Sequence, residues 1–101
     1  AEGCGESDGM SVVIIGGNER MEQQYKEICK KYSCKAKVFT RMSGNLKTQI
    51  GRPDLIILFT STVAHKMVHC ALKEAQRYQI RVERSHSSSA SALENVLQEC
   101  T

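Results

Sequence analysis

The stretch Ser11-Val12-Val13-Ile14-Ile15-Gly16-Gly17 constrains this chain more than any other. Four β-branched residues in a row, with no polar alternation, suit a strand covered on both faces, as in a parallel sheet. Two glycines then permit a tight turn and close backbone approach. The segment Asn18–Tyr32 follows with Met21, Tyr25, Ile28, Cys29 and Tyr32 on one helical face and charges on the other. A buried strand that enters a helix through a glycine turn is the opening unit of an α/β domain with a ligand crevice at the turn.

The rest of the chain repeats that unit. Lys35–Met42 (KAKVFTRM) is a strand of mixed polarity, suited to a sheet edge. Asn45–Ile50 makes a short helix, with Leu46 and Ile50 one turn apart, and Gly51-Arg52-Pro53 ends it. Asp54–Phe59 (DLIILF) is the second continuous apolar run and a second central strand. Val63–Gln79 is a helix with the stripe Ala64, Val68, Ala71, Leu72, Ala75 and Tyr78. Ile80–Glu83 is a short edge strand, Arg84–Ser89 (RSHSSS) a polar loop, and Ser91 with Glu94 a capping box for a last helix over Ala92–Cys100. Strands alternating with helices imply parallel pairing through right-handed crossovers. The expectation is therefore one three-layer α/β domain over residues 11–101, Rossmann-like and flavodoxin-like. Its four parallel strands run in the order 2-1-3-4, with helices on both faces. Residues 1–10, small, polar and glycine-rich, read as a disordered tail.

Composition excludes some classes of function. The net charge is only +3, and the basic residues are spread along the sequence among three tyrosines, two phenylalanines and no tryptophan. A nucleic-acid binder shows a basic stripe with stacking aromatics, so this reading disfavours nucleic acid. The five cysteines, Cys4, Cys29, Cys34, Cys70 and Cys100, are odd in number, which argues against a disulfide framework and for a reducing cytoplasm. No apolar run approaches the ~20 residues that span a bilayer.

In a sheet of this order the chain leaves strands one and three toward opposite faces, and the crevice opens outside their C-terminal ends. Gly16, Gly17 and Asn18 arrive there from strand one, Thr60, Ser61, Thr62 and His65 from strand three. Arg41 and Ser43 follow strand two, and Arg84, Ser85, His86 and Ser87 follow strand four. The expected use is anion binding by backbone N–H groups at Gly16–Asn18, by the hydroxyls of Thr60–Thr62, and by Arg84, Ser85 and Ser87. The alternative is a plain βα turn and a plain serine loop. No G-x-G-x-x-G and no P-loop lysine occur, which sets dinucleotide binding aside. His65 and His69 share a helical face one turn apart and suit a metal or haem iron. A closed zinc site would need matched ligand pairs that H-x-x-x-H-C lacks. The alternative for these two is a surface His69 and a His65 packed at the helix start. No acidic pair follows strand one and no cysteine stands in the first loop, so phosphoacceptor and phosphocysteine enzymes of this fold are excluded. No Ser–His–Asp set or carboxylate pair stands out.

Taken together, Val12–Asn18 (VVIIGGN), Asp54–His65 (DLIILFTSTVAH) and Arg84–Leu93 (RSHSSSASAL) resemble a bacterial family known as domain of unknown function 2325, from Met10 onward. The glycine pair, Asp54, His65 and the serine-rich loop match; Ala64 departs, since members usually carry serine before the histidine. The resemblance implies a small cytosolic regulatory or stand-alone domain. It also implies haem binding, with His65 as axial ligand; by their position near it on the same helix, His69, Met67 and Cys70 are the candidates for a second contact. Three functions follow as expectations. The first is a non-enzymatic ligand-binding regulatory domain that acts through a protein partner, with haem the named ligand. The second is a small enzyme or carrier for a phosphorylated metabolite or nucleotide at the strand one/strand three crevice. The third is an interaction module that forms a homodimer.

Overall fold

The computed structural model of the chain describes residues 10–41, 44–61 and 63–100. In chain order its elements are β1 (Met10–Ile15), a 3-10 turn (Glu19–Met21), α1 (Glu22–Lys31), β2 (Cys34–Phe39), α2 (Leu46–Ile50), β3 (Leu55–Phe59), α3 (His65–Tyr78), β4 (Arg81–Ser85) and α4 (Ala90–Cys100). The four strands form one parallel sheet in the order β2-β1-β3-β4. The expected 2-1-3-4 order and three-layer α/β architecture are what the chain adopts.

The unbroken apolar runs of β1 and β3 have a simple cause, because each strand faces two cores. Val12, Ile14, Leu55, Ile57 and Phe59 pack with Tyr25 and Cys29 of α1 and Leu93 and Leu97 of α4. Val13, Ile15, Ile56 and Leu58 point the other way, onto Leu46 and Ile50 of α2 and Met67, Ala71 and Ala75 of α3. Alternate side chains of a strand lie on opposite faces, so a run with no polar member is the pattern that two covered faces require. The edge strands β2 and β4 expose charged residues, Lys35 and Lys37 on one and Arg81 and Arg84 on the other. Such charges discourage pairing with a further strand.

Most element boundaries shift by one to four residues from those expected, helix α3 for one running His65–Tyr78 rather than Val63–Gln79. Met10, assigned to the tail, begins β1 opposite Cys34; residues 1–9 lie outside the described residues. Strand β2 starts at Cys34, one residue after Ser33 takes a left-handed φ of 61°, and ends at Phe39 rather than Met42. Strand β4 runs on to Ser85, because Arg84 and Ser85 pair with Leu58 and Phe59 instead of entering the loop. Helix α4 begins at Ala90, not Ala92. Its cap is Ser89, whose hydroxyl accepts the Ala92 N–H at 3.2 Å, and the expected Ser91/Glu94 box is not the start.

Asp54 locks the far end of the sheet. Its carboxylate accepts the Ser11 N–H at 2.9 Å while its own N–H donates to the Ser11 carbonyl at 2.8 Å. That double link sets the start of β3 against β1, at the end of the sheet opposite the crevice.

Candidate functional site

The crevice at the C-terminal strand ends is occupied by the chain's own side chains. Gly16 and Gly17 have φ of 96° and 91°, a region that glycine alone enters without strain. A Cβ on Gly16 would lie 2.8 Å from the Val63 Cβ, and one on Gly17 would lie 2.9 Å from the Tyr25 ring and hydroxyl and 3.0 Å from Phe59. The glycines are thus spent on internal close packing. Gly16 N–H donates to the Phe39 carbonyl at 2.8 Å, and Asn18 N–H donates to the Tyr25 hydroxyl at 3.3 Å. These two N–H groups were expected to face an anion, and they face protein instead.

Tyr25 is the hub of that crevice. The α1 face buries its ring completely, 5.3 Å from the Phe59 ring centroid and tilted by 42°. Its hydroxyl donates to the Ser88 carbonyl at 2.6 Å and receives the Asn18 N–H. One phenol therefore ties together the β1 turn, α1 and the loop before α4. The sequence reading saw Tyr25 only as a core residue of α1. Its partner 63 residues away leaves no local signal.

The serine loop is also turned inward. Ser85 Oγ donates to the Ser87 carbonyl at 2.7 Å, and Ser87 Oγ meets Ser89 Oγ at 3.1 Å. Thr60 N–H donates to the Ser85 carbonyl at 2.9 Å and so joins the two rim segments. Ser61 is exposed on the same rim, and Thr62 and Ser43 lie outside the described residues. Arg41 is engaged with Glu19 in an exposed ion pair. That guanidinium holds the Glu19 carboxyl below its usual range and is itself raised. Arg84 does not join this rim. It sits in β4 on the same face as Val82, toward α3.

Among the described residues, two grooves of similar size lie on the two flanks of α3. Toward β4, a groove of about 600 Å³ is lined by His69, Leu72, Lys73, Ala75, Gln76, Ile80, Val82 and Arg84. Toward α2, a groove of about 610 Å³ is lined by Lys47, Lys66, His69, Cys70, Lys73, Glu74 and Arg77. Both volumes fall in the range of small-molecule sites, about 300–1,000 Å³. His69 lines both grooves, whereas His65 stands exposed at the first residue of α3 and lines neither. Met67, expected as a second contact for iron, is 1% exposed and packs under the sheet, so it is withdrawn from that role. Burial, with Glu74 adding, raises the Cys70 thiol, against the pull of Lys47 and Lys73. Among the described residues no three His, Cys, Asp or Glu side chains converge on a metal position, and no helix is long and apolar enough to cross a membrane.

A parallel four-stranded sheet in this order, with Tyr25 bonded to Ser88 beside the glycine turn, defines a small doubly wound α/β domain. The chain belongs to the family described as uncharacterized protein conserved in bacteria (DUF2325), whose model matches residues 11–100. No curated protein and no solved structure matches it.

Proposed function

We propose that this chain is a non-enzymatic ligand-binding regulatory domain that passes its state to a protein partner, with haem as the ligand and His69 as the donor to iron. The observation that supports this reading is the groove between α3 and β4. It sets an imidazole beside an apolar wall of Leu72, Ala75, Ile80 and Val82, with Lys73 and Arg84 on its rim. A haem needs an axial donor, an apolar surface for the ring and cations for two propionates, and these residues fit all three needs. Lys73 and Arg84 would hold the carboxylates and His69 the metal. His65, one turn earlier on α3, is the alternative donor and the one the family resemblance implies. Bound haem would supply an iron whose redox state and second ligand respond to the surroundings.

A haemin titration followed by visible absorption tests this on wild type, His65→Ala and His69→Ala. A saturable Soret shift lost in His69→Ala is the expected result. Loss in His65→Ala alone would move the iron to the start of α3. A shift indifferent to both histidines would remove haem from the account.

A further inference from the structure

The groove between α2 and α3 contains the one buried charged side chain among the described residues. Glu74 is 4% exposed, and none of the described residues gives it a hydrogen bond or an ion pair. A buried carboxyl group favours a ligand that fills its hydrogen-bonding positions. Around it stand four cations: Lys47 from α2, and Lys66, Lys73 and Arg77 from α3. This arrangement limits what completes the site. A metal ion or an amine is repelled by the four cations. A simple anion suits the cations but is repelled by Glu74. A ligand that offers neutral N–H donors to the carboxylate and carries its negative charge elsewhere in the same molecule meets both demands.

We infer that the α2–α3 groove binds a guanine nucleotide, with the guanine edge on Glu74 and the phosphates on Lys66, Lys47 and their neighbours. Guanine suits a carboxylate because its N1–H and 2-amino group present two parallel donors to two acceptor oxygens. Adenine and cytosine each set an acceptor beside their amino group, and uracil offers one donor. The spacing also agrees: Lys66 lies eight residues before Glu74 on one helix, about 12 Å along the axis. That leaves room for a ribose between base and phosphate. The site goes beyond the haem reading and does not rest on it. His69 and Lys73 line both grooves, but Lys66, Glu74 and Arg77 line only this one.

Isothermal titration of the full chain with GDP, inosine diphosphate, ADP and pyrophosphate tests the assignment. GDP is expected to bind about tenfold or more tightly than ADP, a difference typical of hydrogen bonds to a charged group. Inosine diphosphate, which lacks the 2-amino group, should fall between them. Glu74→Gln keeps the shape of the side chain and should erase the preference for GDP over ADP. Exposed Lys66→Gln and Lys47→Gln should weaken every diphosphate, and more so at low salt. Equal affinity for GDP, inosine diphosphate and ADP in the wild type would overturn the proposal without recourse to any variant. No binding of GDP would do the same, as would a GDP preference that survives Glu74→Gln. Because the haem test reads the Soret band of histidine variants, the two readings fail separately.

Discussion

At the scale of single residues, Gly17 shows why a glycine turn need not be a phosphate cradle. Its φ of 91° and the 2.9 Å approach of a would-be Cβ to Tyr25 make the missing side chain a requirement of packing. Gly17→Ala is expected to destabilise the fold by about 2–4 kcal/mol, from backbone strain together with displacement of Tyr25 and its bond to Ser88. Urea unfolding measures it, and a loss under about 1 kcal/mol would show that the turn relaxes at little cost. The glycine pair itself was legible in the sequence. The use made of it was not, since Tyr25, Phe59 and Val63 close on it from three other segments. The same holds for Glu74, which reads as an ordinary charge on a helix until α2 covers it.

At the scale of elements, hydrophobic period carried the reading well where a whole face or both faces are buried. Strands β1 and β3 and helices α1 and α3 lie where their patterns put them, to within a few residues. Ends were read less well, because caps and ladder bonds decide them. Two serines near α4 make this testable. Ser89 caps the helix through the Ala92 N–H, whereas Ser91 is exposed in its first turn. Ser89→Ala should cost about 1 kcal/mol and Ser91→Ala less than about 0.5 kcal/mol, both read from thermal or urea melts. The reverse order would restore the cap that the Ser91/Glu94 spacing suggests. Strand β4 makes a related point. Its pairing with β3 extends to Ser85, and this turns Arg84 from a loop residue at the crevice into a lining residue of the α3 flank.

At the scale of the whole molecule, folding gathers charge that the sequence disperses. Lys47, Lys66, Lys73 and Arg77 are separated by up to 30 positions, yet they line one groove. Cysteines show the opposite effect, since the fold withdraws Cys29 from solvent altogether. Burial, with neighbouring Cys34 adding to it, pushes the Cys29 thiol from 9.0 up to about 12. The native state therefore keeps a proton that the unfolded chain gives up above about pH 9, so the associated stability is intact below pH 9 and is lost as pH climbs toward 12. Between these limits the loss is at most about 1.4 kcal/mol per pH unit. Urea midpoints measured from pH 8 to 10.5 should fall more steeply for wild type than for Cys29→Ala. Parallel slopes would mean that Cys29 opens to solvent without unfolding.

By itself the sequence determined the class of fold, the order of strands, the two central strands and the faces of the longer helices. Those properties depend on the periodicity of apolar residues, which is local and repeats along the chain. It also pointed to the C-terminal rim, through glycines, threonines and serines that loops favour. Only the tertiary structure decided that Tyr25 bonds Ser88 across this rim, that grooves open on the flanks of α3, and that Glu74 is buried in a groove that four cations also line. Each of these depends on contacts between segments far apart in the chain, and such contacts leave no mark on local composition or spacing.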